Sequence, residues 1–236
     1  MLILGIDTSG RQGSLALLRA EAGELHPLAM AQIGGGRYSE LVVPTLSTLL
    51  QEHGLQKNSL QLIGVASGPG SFTGLRVAIA TAKGLAEALD IPVVAVSVLE
   101  AVAEASRAEE NPEGHVVAAL DAQRDELYWA EYELAAPGLP RLICEALSPL
   151  AKFNTMLATG ELSAPIFTPD QTLVTKIADG DVQCLAQPTA EAYARMAHTK
   201  FALGEHDDLA TLDAHYLRPS EAEIMAALRS HSSEGQ

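Results

Sequence analysis

Short apolar runs alternate along the chain with longer stretches in which apolar residues recur every three or four positions. Residues 2–6 read as a buried strand, Asp7-Thr8-Ser9-Gly10 as the polar turn at its carboxyl end, and residues 14–18 as its hairpin partner. Residues 29–33 form a weaker third strand that ends in Gly34-Gly35-Gly36. Ser39 is placed to cap a helix reaching Leu50, whose apolar face carries Val42, Leu46, Leu49 and Leu50. Pro44 lies past the first turn, so this helix is expected to bend there or to start later, and Gly54 ends it. A central strand at 62–66 leads through a glycine-rich loop into an Ala-rich helix at 75–89, followed by a strand at 93–96 and a helix from Ser97 to about Ala108.

The polar stretch 107–114 reads as a lobe boundary. Beyond it, residues 116–121 again form an apolar strand ending in an aspartate, Asp121, with a hairpin partner at 126–132. Strand, aspartate, turn and strand thus occur in both halves, as a loose echo rather than a sequence repeat. Weak strands around Ile143 and Ile166 and a helix at 189–202 complete the second half. The expected division is a first lobe at 1–108, a second at 114–218, and a flexible tail at 229–236.

The loop Gly68-Pro69-Gly70-Ser71-Phe72-Thr73-Gly74 joins a strand to a helix, and Ser71 or Thr73 can cap that helix. Backbone amides at such a helix start can face an anion. No Gly-Lys-Ser/Thr follows the glycines, and their spacing is one residue too long for the dinucleotide fingerprint, so tight turning and helix packing account for the loop equally well.

Aromatic residues make up 4% of the chain, so the core is built from Ala, Val, Leu and Ile, as suits an α/β fold with helices packed closely on a sheet. The formal net charge of −15 argues against direct nucleic-acid binding, because phosphates are held by Lys and Arg. A basic partner fits such a surface, as does simple solubility. Cys144 and Cys184 form neither a disulfide framework nor a zinc motif. With no signal-peptide pattern at the start and no apolar run near the roughly 20 residues of a membrane span, a reduced, cytoplasmic protein without membrane association is expected.

At specific strings the chain resembles a known family. Ile6-Asp7-Thr8-Ser9, Tyr38-Ser39-Glu40, Gly68-Pro69-Gly70-Ser71-Phe72-Thr73-Gly74-Leu75-Arg76, Ala80-Thr81-Ala82-Lys83-Gly84-Leu85, Ser97-x-Leu99-Glu100 and Asp121-Ala122-x-Arg124-x-Glu126-x-Tyr128 together resemble the TsaB (YeaZ) family. The match runs in order over about residues 2–132, with Tyr216-Leu217-Arg218 as a late echo. The resemblance implies a duplicated actin-like (ASKHA, ribonuclease-H-like) two-lobed fold. It implies a non-catalytic scaffold or activator subunit of the machinery that makes N6-threonylcarbamoyladenosine at tRNA position 37. The implied partners are a TsaD-like catalytic subunit and a TsaE-like ATPase, with a homodimer as a further option and tRNA reached only through the complex. In the family, first-lobe helices form the interface. They correspond here to segments 39–50 and 75–89, with Ser39, Glu40, Val42, Leu46, Leu49, Leu75, Arg76, Ile79 and Lys83 as contact candidates. No cofactor of its own is implied. ATP or ADP at the partner boundary would lie near Asp7, Gly68, Gly70, Ser71 and Gly74.

The catalytic relative holds its metal with two histidines in an Asn-His-Leu-Glu-Gly-His string. The corresponding residues here are Ser97-Val98-Leu99-Glu100-Ala101-Val102, with valine at both histidine positions. The seven histidines of the chain never fall at i, i+3 or i, i+4, so no helical pair replaces them. Tyr38 stands where the family commonly has histidine. Two other readings follow from the residues. An ASKHA-type ATPase or phosphotransferase would use Asp7 and Asp121 around a magnesium-bound nucleotide. A peptidase would need H-E-x-x-H or G-x-S-x-G, and the chain has neither.

Overall fold

The computed structural model describes residues 1–108, 114–135, 138–178 and 180–217; the tail at 229–236 lies outside them. The first sheet holds β1 (Leu2–Asp7), β2 (Gln12–Glu21), β3 (Glu24–Gly34), β4 (Leu60–Gly68) and β5 (Val93–Ser97) in the order β3-β2-β1-β4-β5. β1 is buried along its whole length, as an unbroken apolar run requires when both faces of a strand are covered. β1, β2 and β3 pair antiparallel, whereas β4 and β5 add in parallel on the other side of β1.

The second sheet repeats this plan. β6 (Gly114–Gln123), β7 (Glu126–Leu134) and β8 (Arg141–Pro149) are antiparallel, and β9 (Ile166–Thr168) and β10 (Val182–Cys184) extend the sheet in parallel, giving the order β10-β9-β6-β7-β8. Two sheets with one connectivity make this the duplicated, two-lobed α/β fold of the actin-like (ASKHA, ribonuclease-H-like) type. The echo of strand, aspartate, turn and strand is therefore structural: Asp7 ends β1, and Asp121 lies two residues before the end of β6.

Helices α1 (Tyr38–Glu52) and α2 (Phe72–Leu89) cover one face of the first sheet, and α4 (Leu150–Ala158) and α5 (Gln171–Lys176) pack with the second. The third helix of each half crosses over. α3 (Val98–Ala105) packs on β6 and β7, while α6 (Ala190–Ala202) lies on β1, β2, β4 and β5. One apolar cluster therefore runs between the lobes through Val98, Val102, Tyr193 and Ala197, and a separate cluster fills each lobe.

Glycine sets how closely α6 approaches. Gly5 and Gly64 are paired across β1 and β4. A Cβ on Gly5 would land on the Ala190 carbonyl oxygen, and one on Gly64 would sit 2.6 Å from the Tyr193 carbonyl oxygen. Two neighbouring glycines thus open a trough for the α6 backbone, and the Ala190 amide donates to Ser14 Oγ at 2.8 Å to fix the helix end there.

Ser39 is not the cap of α1. The helix starts at Tyr38 with Arg37 in the cap position and no side-chain cap bond, and it continues through Pro44 to Glu52. The physical reason lies in Tyr38, whose ring is buried and whose hydroxyl donates to the Gly10 carbonyl at 2.9 Å. Arg37 and Glu40 pair at 2.9 Å across the first turn, so tertiary anchoring replaces the cap. By contrast, Ser71 and Ser97 cap α2 and α3 through the amides of Gly74 and Glu100.

After α6 the chain returns to the first lobe as a strap, residues 205–217. The Asp207 amide donates to Val93 O at 2.9 Å, Ala95 N donates to Asp207 Oδ2 at 2.7 Å, and His215 N donates to Ser67 O at 2.7 Å. Leu212 and Ala214 are buried against the α1 and α2 core. His215 Nε2 meets Glu145 of β8 at 2.8 Å, tying the strap to the second lobe.

Candidate functional site

The glycine-rich loop packs directly on the turn after β1. Ser71 N donates to Ser9 O at 2.7 Å, and Thr8 Oγ1 donates to Gly74 O at 2.7 Å. A Cβ on Gly70 would be 2.5 Å from Ser9 O, and one on Gly74 would strike Thr8 O. Gly68, at φ +121°, lies under the strap, where a Cβ would be 2.7 Å from His215 O. The close approach these glycines permit is taken up by the protein's own backbone. Asp7, Gly68, Gly70, Ser71 and Gly74 are brought together as expected in sequence, with the turn and the loop in direct backbone contact.

Asp7 is 2% exposed. Its Oδ1 accepts from Ser9 N at 2.8 Å and from Ser9 Oγ at 2.6 Å. Burial pushes its carboxyl up to about 6, with the two Ser9 bonds opposing the shift. Tyr193 of α6 is fully buried nearby, and among the described residues its hydroxyl has no hydrogen-bond partner. Burial raises that phenol well above its ordinary value, and the Asp7 charge adds to the shift.

Asp121 is turned to its own hairpin. Its Oδ1 accepts from Gln123 N at 2.8 Å and its Oδ2 from Gln123 Nε2 at 3.2 Å, while its amide donates to Asp170 Oδ2 at 2.7 Å. Asp7 and Asp121 each hold a turn. Among the described residues no three His, Cys, Asp or Glu side chains converge as a metal site would need. Asp170 was not foreseen from sequence, because the adjoining β9 is three residues long.

In α3, Val98 is 2% exposed and Val102 is 0% exposed, both within the core between the lobes. Glu100, between them, is also buried and accepts from Lys200 Nζ of α6 at 2.9 Å. Burial moves Glu100 above the usual carboxylate range, and Lys200 pulls it back. The acid of the Ser97–Val102 string therefore pins two crossing helices together. Lys200 lies 100 residues away from Glu100, so no local pattern announced the pair.

The contact candidates on α1 and α2 divide into two sets. Val42, Leu46, Leu49, Leu75 and Ile79 are buried in the first lobe's own core. That corrects their assignment to a partner surface: an apolar helical stripe is what binds these helices to the sheet. Ser39, Glu40 and Arg76 are exposed, and Lys83 is half-buried. Beside them, Val43 is 59% and Phe72 45% exposed, two apolar side chains that sequence reasoning did not single out. Among the described residues no helix is long and apolar enough to cross a membrane.

Comparison with known proteins agrees with this architecture. The family model described as TsaD, tRNA N6-adenosine threonylcarbamoyltransferase, matches residues 31–207. The tRNA threonylcarbamoyladenosine biosynthesis protein TsaB of Escherichia coli (strain K12) is 28% identical over 233 residues, 94% of this chain and 96% of that protein. The protein of the same name from Bacillus subtilis (strain 168) is 33% identical over 157 residues, 66% of each chain. Among solved structures, YeaZ from Pseudomonas aeruginosa superposes with a TM-score of 0.73 at 29% identity, covering 92% of this chain and 99% of that one. With the shared fold, the glycine loop seated on the Asp7 turn and these relatives together, the chain belongs to the TsaB (YeaZ) family of tRNA threonylcarbamoyladenosine biosynthesis proteins, which is related to TsaD.

Proposed function

We propose that this chain is a scaffold or activator subunit of the complex that places a threonylcarbamoyl group on N6 of adenosine 37 in tRNA. It pairs with a TsaD-like catalytic subunit and works with a TsaE-like ATPase. One observation carries the reading. At the two places where the catalytic relative has metal-binding histidines, this chain has valines, and those valines are 2% and 0% exposed in the core between the lobes. The helix that carries them is spent on joining the lobes, and its acid is spent on Lys200.

In this reading the chain has no nucleotide of its own. ATP or ADP at the boundary belongs to the partner or to the ATPase, and tRNA is met through the complex, in keeping with the net charge of −15. The mechanism is differential binding: docking favours the arrangement of the partner in which its site is assembled. A specific contact of this type buries about 1,600 Å² in total. The exposed side of α1 and α2 offers a surface for it, with Val43 and Phe72 standing out from the helices.

The test is co-elution with the TsaD-like chain of the same organism on a sizing column with mass detection. A stable mixed species supports the pairing. Separate elution of the two chains at micromolar concentration, with and without ATP and the TsaE-like protein, overturns it.

A further inference from the structure

An open groove of about 430 Å³ lies at the carboxyl end of α2, where β5 begins and the strap leaves α6. Ile91, Pro92, Phe201 and Leu209, all half-buried, give it an apolar floor, and the exposed Glu87, Asp90 and His206 stand at its rim. Segments 84–92 and 201–210 hold all of its lining residues and carry five acids, Glu87, Asp90, Glu205, Asp207 and Asp208, with no Lys or Arg. Asp207 and Asp208 accept from the backbone amides of Ala95 and Ala210. Glu87 and Asp90 have no hydrogen-bond or ion-pair partner among the described residues.

The sequence breaks local helix rules at this end of α2. A helix carboxyl terminus favours cations, yet the last turn of α2 holds Glu87 and no basic residue. Asp90 takes the left-handed position after the helix at φ +54°, where glycine is the usual residue. Its amide and that of Ile91 both turn back to Ala86 O, so among the described residues the carbonyls of 87–89 receive no backbone amide. Two carboxylates and the negative end of a helix dipole thus stand beside an aromatic ring on an apolar floor. Conflicts of this kind between local preference and fold collect at functional sites.

The complement of such a groove is a cation on an apolar stem. A guanidinium suits it better than an ammonium, because its plane stacks on a ring and its fork of N–H donors serves two carboxylates. Leu203, two positions beyond Phe201, is 67% exposed, an apolar surface that the flank of a bound protein segment would cover. The net charge of −15 also favours a basic partner.

We propose that this groove docks an arginine-bearing segment of a second protein, with the arginine methylenes on Ile91, Pro92 and Leu209 and the guanidinium over Phe201, between Glu87 and Asp90. α2 has 18 residues, so the groove is about 25 Å along the helix from Phe72. The inference does not rest on the pairing proposed above.

The test is an NMR titration of the full chain at about 150 mM salt with acetyl-Gly-Arg-Gly-amide, acetyl-Gly-Lys-Gly-amide and spermidine. The arginine peptide is expected to give saturable shifts at Ile91 and Phe201, at least about threefold tighter than the lysine peptide. The double variant Glu87→Gln/Asp90→Asn should weaken this binding about tenfold, and Glu161→Gln/Asp181→Asn, which removes the same charge from exposed positions of the second lobe, by less than about twofold. The first double variant relieves the helix end, so it should unfold at the same or a higher urea concentration than wild type, which separates lost binding from lost fold. Equal weakening by the two double variants, or equal affinity for the two peptides, would reduce the site to the overall charge of the chain and overturn the proposal. No saturable response to millimolar arginine peptide overturns it as well, and a saturable response to spermidine alone would make a free polyamine the occupant instead.

Discussion

Asp7 at the end of β1 and Asp121 near the end of β6 each accept a 2.8 Å hydrogen bond at Oδ1 from the amide two residues further on, Ser9 and Gln123 respectively. The two halves have kept the turn and changed its surroundings. Asp7 is sealed under α6, whereas Asp121 remains half-buried beside Asp170. An aspartate that closes its own turn explains both positions without a bound ion.

Asp7 makes the fold sensitive to pH. Its folded value of about 6 lies above the ordinary carboxylate value, so the folded state holds this proton more tightly than the unfolded chain. The group's contribution to stability is therefore present below about pH 4 and lost as pH rises to about 6 and beyond, at a cost on the order of 3 kcal/mol near neutrality. Asp7→Asn keeps an acceptor for Ser9 and removes the charge. Its stability relative to wild type should improve by about 2 kcal/mol between pH 4.5 and 7.5 in urea titrations, with nearly all of the gain below about pH 6.5. A difference that does not change with pH would show that burial of this carboxylate is not what the fold contends with.

Gly64 and Gly84 should respond oppositely to alanine. Gly64→Ala places a methyl 2.6 Å from the Tyr193 carbonyl oxygen and must push α6 off the sheet, at about 1–3 kcal/mol. Gly84 is exposed inside α2 with nothing near its added methyl, so Gly84→Ala should stabilise by about 0.5–1 kcal/mol through helix propensity. Chemical unfolding of both variants measures the two signs. A neutral Gly64→Ala would mean that α6 does not depend on the trough.

The Glu100–Lys200 pair joins α3 to α6 with both side chains largely out of water. Lys200→Met leaves a buried carboxylate unpaired and should cost about 3 kcal/mol, whereas the double variant Glu100→Gln/Lys200→Met should recover more than half of that. A double-mutant cycle at pH 7 reads the coupling directly. Strictly additive single and double changes would remove the pair from its assigned part in holding the lobes together.

The parts of the fold legible from sequence were those specified locally. The unbroken apolar run at β1, the cap at Ser71 and the glycines of the loop each announced a strand-turn-helix segment. What escaped was specified at a distance. β10 is three residues long and paired only by its neighbour, so no period marked it. The strap has no helical or strand period and is held by contacts such as Lys83 with Leu212, 129 residues apart. The stripe on α1 and α2 was visible in sequence, but Val42 and Leu75 could equally have faced a partner or a sheet, because periodicity gives a face and not its neighbour. Their exposed neighbours, Val43 and Phe72, lie outside that stripe, and the pattern did not mark them.

The most direct test of the central claim is threonylcarbamoyladenosine formation on tRNA in a reconstituted mixture of this chain with TsaD-like and TsaE-like proteins, ATP and threonylcarbamoyl-adenylate, each protein left out in turn. The account predicts sustained modification only when this chain is present with the TsaD-like subunit, and none from this chain by itself. Modified tRNA made by this chain in the absence of the TsaD-like subunit, or full activity after this chain is withdrawn, would contradict it.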